Sequence, residues 1–309
     1  MKNAVEYHLF VALFRIARSM SFRRASSVGA GIGGLAFRLG FRRGVTLGNL
    51  RHAFPEKDDA ALRAIALGAY RGYGKAMTQM LWSAGASPEE LTAIIHFDNP
   101  DVFHAAYRQR RGVVLLSGHF GAWELMASSL SLALNVRLVV VAQKQRNVRV
   151  NDLVDSIRSR HGCTVVHMGI ATRRLFQALR EGKALGMLGD QSGPRESEFV
   201  PFFGRPAATH RGPASFALKS RAPLIFLALV RREDETYDAW MEDVDFSDLR
   251  EYTPENVREL TRRHVAVLER WVRKHPDHWL WMHKRWKHSD YYQQHHQDQV
   301  TSQAESTPE

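Results

Sequence analysis

Residues 117–124 read SGHFGAWE, and Ser117 is the last residue of the apolar run VVLLS. His119 and Glu124 are the two side chains here that can do chemistry. A neutral imidazole takes the proton of a hydroxyl while that hydroxyl attacks a carbonyl. A carboxylate on the other ring nitrogen fixes the tautomer and stabilises the imidazolium that forms. Five-residue spacing gives this pairing on neither regular element. Five helical steps of ~100° splay the side chains, and odd spacing on a strand sends them to opposite faces. The chain must therefore change structure between them. VVLLS reads as a buried strand, Gly118 and Gly121 permit a sharp turn, and Glu124 falls in the first turn of the next helix. In open α/β sheets ligands sit outside the carboxyl ends of strands, which is where this places His119. The plainer alternative is that Glu124 complements a helix N-terminus and His119 closes the turn. Spacing alone leaves both open.

The surrounding elements have an α/β rhythm. VFHAAYRQR, AWELMASSLSLAL, NDLVDSIRSRHG and TRRLFQALREG read as helices. VVLLS, RLVVVA, TVVHM and ALGMLGD read as the strands alternating with them, followed by LIFLALV, YDAWMEDV and a long basic helix, NVRELTRRHVAVLERWVRKHP. Such alternation predicts an α/β fold: a mainly parallel central sheet with helices on both faces. Residues 59–82 read as a further helix, and Ser87-Pro88 as a helix start. GAGIGG within 28–41 resembles a dinucleotide fingerprint, but no strand precedes it. A close-packed or membrane-apposed helix is the better reading.

The chain has 309 residues, is 44% hydrophobic and carries a net charge of +11. A single cysteine, Cys163, excludes an internal disulfide framework and a multi-cysteine zinc site. Residues 1–51 hold nine Lys/Arg against one acid, Glu6, a net +8. Within them, Leu9, Phe10, Leu13, Phe14, Ala17 and Met20 recur at helical spacing among arginines. Charges interrupt this segment, so it is neither a spanning helix nor a signal peptide. It reads as a helix lying in a membrane interface. The expected division is a membrane-associating helical segment at 1–50, an α/β domain at 51–289 and a disordered polar tail at 290–309. No G-x-S-x-G elbow is present and Cys163 has no catalytic setting, which disfavours a serine hydrolase or thioesterase. No RNP, helix-turn-helix or finger signature supports a nucleic-acid binder, although the aromatic-basic run WLWMHKRWK would suit one.

HFGAWE resembles the H-x4-[DE] motif of the bacterial lipid A biosynthesis acyltransferases, the late lauroyl/myristoyl transferases. NLRHAFPE (49–56), LGDQSG (188–193), VPFFGRPAATHRGPASFALKSRAPLI (200–225) and HWLWMHKRWK (278–287) resemble that family's other blocks in order, so the likeness runs from roughly residue 5 to 288. It implies a glycerolipid-acyltransferase-like fold with N-terminal membrane-interfacial helices. It implies His119 as general base, oriented by Glu124. An arginine on the IRSRHG helix, Arg158 in preference to Arg160, would hold the acceptor's phosphate or the growing oxyanion. Asp190 and Gln191 belong to the implied substrate-binding set, with Ser192 standing where some relatives carry a second acid. Gly204, Arg205 and Thr209 complete it. Gly204 would let backbone amides approach the thioester, and Arg205 would bind phosphopantetheine or phosphate. The implied activity is O-acyl transfer, without metal or cofactor, from acyl carrier protein or CoA to a hydroxyl of a phosphorylated glucosamine lipid. It would occur at the cytoplasmic face of the inner membrane, the protein being peripheral or monotopic. Phosphatidylinositol-mannoside acyltransferases are similar too, and the AQKQRN loop (142–147) departs from the family's usual pattern, so other glycolipid, phospholipid or amino-acid lipid acceptors stay open.

Overall fold

The structure is a computed structural model and describes residues 2–169 and 172–294. Four helices open the chain: α1 (Lys2–Ala17), α2 (Phe22–Arg38), α3 (Arg43–Ala53) and α4 (Asp59–Ser83). Short α5 (Pro88–Ala93), strand β1 (Ile95–Phe97) and α6 (Pro100–Tyr107) follow. Strands and helices then alternate through β2 (Val113–Ser117), α7 (Trp123–Ala133), β3 (Leu138–Ala142), α8 (Val148–Ser159), β4 (Thr164–His167), α9 (Thr172–Arg180) and β5 (Ala184–Leu188). A hairpin of β6 (Glu198–Phe202) and β7 (Arg205–Thr209) leads into α10 (Gly212–Ser220). Strands β8 (Leu224–Arg231) and β9 (Tyr237–Asp243) and helix α11 (Pro254–Lys274) come last among the long elements.

Seven strands form one sheet in the order β1-β9-β8-β2-β5-β3-β4. The run from β8 to β4 is parallel, β9 is antiparallel to β8, and β1 pairs parallel with β9. Alternate residues of the central strands face two helical layers. Val114 and Leu116 pack in one core with Leu62, Phe216 and Leu268 from α4, α10 and α11. Val113 and Leu115 pack in the other with Leu91, Phe103 and Leu130 from α5, α6 and α7. Burial on both faces is why VVLLS is apolar throughout rather than alternating.

The glycine-rich stretch is a helix crossing. α2 and α4 pass so closely that a Cβ on Gly33 would lie 2.0 Å from the Tyr70 carbonyl oxygen, and one on Gly74 2.0 Å from that of Gly29. Thr78 Oγ1 donates to the Ala25 carbonyl at 2.8 Å across the same contact. Gly33→Val must push the helices apart. It is expected to cost about 3 kcal/mol or more, read as a lowered Tm in thermal melts followed by circular dichroism. An unchanged Tm would refute the close crossing.

The apolar stripe of α1 turns largely inward. Phe10, Leu13, Phe14 and Ala17 pack against Met80, Leu81, Val154 and Ile157 of α4 and α8. This corrects the expectation that they face lipid: a helix beside an apolar wall buries its stripe there first. Leu9 of the expected stripe stays exposed, with Val5 and Ile16 of α1, and a longer exposed stripe runs along α2, where Val28, Ile32, Leu35 and Leu39 follow one helical face outward. Among the described residues no helix is long and apolar enough to cross a membrane. Residues 289–294 form a helical turn against the β6–β7 hairpin, with Tyr292 stacked on Phe199 at 4.4 Å. The rest of the expected tail lies outside the described residues.

Candidate active site

Parallel neighbours β2 and β5 are in a register that pairs Ser117 with Leu188. The Gly189 N–H donates to the Ser117 carbonyl at 3.0 Å and carries the ladder one step further. His119 and Asp190 each stand two residues beyond this last pair, so the register delivers them side by side. His119 Nδ1 lies 2.8 Å from Asp190 Oδ1, and the His119 backbone N–H donates to Oδ2 at 2.8 Å. Trp279 Nε1–H donates to the same Oδ2 at 2.8 Å. A Cβ at Gly118 would crowd this carboxylate at 3.2 Å, so glycine there admits it.

The loop is pinned from behind. Gly121 has φ +59, and a Cβ on it would lie 2.0 Å from the Leu229 carbonyl oxygen. Its N–H donates to the His278 carbonyl at 2.9 Å, and Leu280 N–H donates to that of His119 at 3.1 Å. The block 278–287 therefore closes the site, and its Trp279, Trp281 and Trp286 are buried. Arg285 of the same block is fully buried too, donating to the Ala208 carbonyl and Thr209 Oγ1, both at 2.6 Å.

Asp190, not Glu124, is the carboxylate on the imidazole. Glu124 does sit in the first turn of α7, but its side chain turns to α8. There Arg158 grips it in a fork, Nε to Oε2 at 3.0 Å and Nη2 to Oε1 at 2.6 Å. A guanidinium fork satisfies both carboxylate oxygens, which a single ring nitrogen cannot. The ion pair is largely buried. Glu124→Gln leaves Arg158 short of its counter-charge and is expected to destabilise by about 3 kcal/mol. The test is a Tm comparison with Glu124→Gln/Arg158→Gln. If the double variant melts lower by the sum of the single losses, the two residues do not act as a pair.

The hydrogen-bond network assigns the proton. With Nδ1–H given to Asp190, His119 Nε2 keeps a lone pair, which faces the Gln191 side-chain N–H at 3.2 Å. Burial alone would depress this histidine's pKa. The charge and hydrogen bond of Asp190, with Glu124's charge behind them, outweigh burial and hold the ring above its ordinary 6.5. Burial likewise pushes Asp190 up, but the imidazole's charge and the three hydrogen bonds hold its carboxyl well below the usual range. The His119 side chain stays 19% exposed while Asp190 is 2% exposed, so the imidazole is reachable and its carboxylate partner is not. The ring packs on Trp123 at 5.2 Å, and Trp123 on Tyr73 at 5.8 Å. His283 Nε2 accepts the Ser192 N–H at 2.9 Å. Burial pushes this histidine down to about 4, so it serves as a neutral acceptor.

The hairpin residues take other roles. Phe203 (φ 51) and Gly204 (φ +73) are the two central residues of the β6–β7 turn, and positive φ at both is what a tight I′ hairpin needs. Gly204 is thus a turn residue. Arg205, beside it at the tip, is paired with Asp290. Thr209 lies four residues away at the hairpin base, about 13 Å along the strand. It is fully buried, accepting from Arg285 and donating to the Ala207 carbonyl at 3.0 Å, with no hydroxyl left for substrate. Sequence reasoning missed the parts of Trp279 and Asn49. Asn49, in NLRHAFPE, donates to the Trp281 and His283 carbonyls at 2.9 and 2.8 Å and ties α3 to the closing block. Co-occurrence of the two blocks was the available signal. Among the described residues no group of three or more His, Cys, Asp or Glu is placed to hold a metal ion.

A family model described as bacterial lipid A biosynthesis acyltransferase matches residues 2–288. The chain is 24% identical over 251 residues to the lipid A biosynthesis palmitoleoyltransferase of Escherichia coli (strain K12), covering 80% of this chain and 79% of that protein. It is similar to the same extent to the lipid A biosynthesis acyltransferase of Shigella flexneri. With the match spanning every element that builds the His119–Asp190 site, the chain belongs to the bacterial lipid A biosynthesis acyltransferase family and is an acyltransferase.

Proposed function

We propose that this acyltransferase moves a fatty acyl chain from an acyl thioester, borne by acyl carrier protein, to a hydroxyl of a lipid A precursor. The observation that supports it most is the reachable Nε2 lone pair of a histidine whose Nδ1–H is held by a buried carboxylate. The names of the relatives support the acceptor. The acceptor hydroxyl displaces Gln191 from Nε2, loses its proton there and attacks the thioester carbonyl. The displaced Gln191 amide N–H lies beside the new tetrahedral centre and donates to its oxyanion. Collapse forms the ester and expels the thiolate, which takes the proton back from His119 Nε2. Asp190 stays ionised throughout and stabilises the imidazolium. Glu124 and Arg158 brace α7 against α8 rather than touch the ring.

The basic surface steers an acidic carrier, and the α2 stripe with its flanking arginines rests in the interface of the inner membrane's cytoplasmic leaflet. Leu35→Gln/Leu39→Gln should weaken partition to anionic vesicles about ten-fold or more. Unaltered sedimentation with vesicles would remove α2 from the membrane surface. The deciding experiment incubates the protein with a lipid A precursor and acyl carrier protein or CoA charged with different chains, and reads the lipid by mass spectrometry. An added acyl chain from the carrier-bound donor is expected. No acylated lipid from any thioester would sink the proposal.

A further inference from the structure

The arginines that sequence nominated for a phosphate are engaged elsewhere: Arg158 with Glu124, and Arg205 with Asp290. A different set is free for one. At the turn between α2 and α3 stand Arg38, Arg42 and Arg43, none with a carboxylate partner among the described residues. Arg43 lies over the Phe37 ring at 5.9 Å. Exposed Leu39 and Phe41 alternate with the arginines. Arg42 is held in the left-handed region at φ 51, as the N-cap of α3, and makes no side-chain cap. The Arg43 N–H turns back to the Gly40 carbonyl at 3.2 Å, and the N–H groups of Gly44 and Val45 are left without a cap at the start of an 11-residue helix, beside the guanidinium groups. The turn is also rigid. The Tyr70 hydroxyl donates to the Phe41 carbonyl and lies 3.3 Å from Thr46 Oγ1.

Its position points toward the catalytic histidine. Asn49, six residues and about 9 Å along α3 from Arg43, bonds the His283 carbonyl. The His283 ring accepts from Ser192, whose neighbour Gln191 touches His119. Arg42 is near enough that its charge, after burial and the charges of Arg285 and His119, helps depress His283.

We propose that this turn is the subsite for a phosphate group of the acceptor lipid, gripped by Arg42 and Arg43 with Arg38 beside them, while Leu39 and Phe41 rest in the lipid surface. This rests on the lipid-acceptor reading above. Strain at a non-glycine residue, an uncapped helix start and unpaired guanidinium groups next to an apolar rim fit one anionic group on an amphipathic molecule.

The test uses the full chain in neutral detergent micelles, where bulk anionic lipid is absent. Arg42→Asn/Arg43→Gln is compared with Arg23→Gln/Arg24→Gln, which removes two charges from the opposite end of α2. Asparagine is chosen at 42 because it tolerates positive φ. The first pair should raise KM for the phosphorylated acceptor about ten-fold or more, leave kcat within about two-fold, and leave an enzymatically dephosphorylated acceptor unaffected. The second pair should leave all of these alone. Direct binding of the phosphorylated acceptor, followed by tryptophan fluorescence, should weaken in parallel. An unchanged KM and affinity, or equal losses from both pairs, overturns the subsite. Loss of acceptor binding in the first pair, in a protein that transfers no acyl group, upholds the subsite and sinks the proposed chemistry. Arg42→Lys/Arg43→Lys should regain part of the affinity if charge is what the site supplies, and none if the variants merely perturb the fold.

Discussion

Replacing His119 with alanine is expected to lower acyl transfer by on the order of 10⁴-fold, the upper range for a positioned general base. The substitution removes the Nε2 lone pair, and the described neighbours offer no ready substitute: Gln191 presents an N–H there, and the nearby His283 ring already accepts from Ser192. The protein should remain folded. Asp190 loses one partner but keeps the backbone N–H of residue 119 and Trp279 Nε1–H. The check is single-turnover transfer with saturating thioester, beside a Tm measurement. A folded His119→Ala protein retaining more than about a tenth of wild-type rate would remove this histidine from the chemistry.

Asp190→Asn carries the next largest effect, a loss on the order of 10³-fold, because the imidazolium formed during attack loses its counter-charge. The pH profile separates this from simple damage. His119 must be neutral to act, and its pKa is raised. In the wild type, activity therefore climbs with pH through a limb above 6.5, as the ring loses its proton. Asparagine removes the negative charge that opposes burial, so the ring's pKa falls and the limb moves to lower pH. Residual activity with an unshifted limb would show that Asp190 only packs. Glu124→Gln should move the limb in the same direction but less, since its charge acts on the ring after Asp190's.

The strands of the central sheet were legible in the sequence because parallel strands covered on both faces need uninterrupted apolar runs, and 113–117, 138–142 and 184–188 supply them. The β6–β7 hairpin was not foreseen. Pro201 and Pro206 interrupt it, and its turn is made by Phe203 in a left-handed conformation, where sequence rules look for glycine or asparagine. Neither was β1, at three residues too short to carry a pattern. The α1 stripe was visible, but periodicity shows only that a face is apolar, not whether protein or lipid covers it.

The site divides along the same line. Local chemistry in the sequence was enough to place His119 beyond one strand, Asp190 beyond another and Glu124 at a helix start, because strand ends and glycine turns are short-range features. Which acid meets the imidazole is a long-range matter. Asp190 is 71 residues from His119 and Arg158 is 34 from Glu124, and only the β2–β5 register and the packing of α8 against α7 bring each pair together. A buried ring nitrogen bonds the carboxylate that three-dimensional neighbourhood supplies, and nearness along the chain has no bearing on that choice.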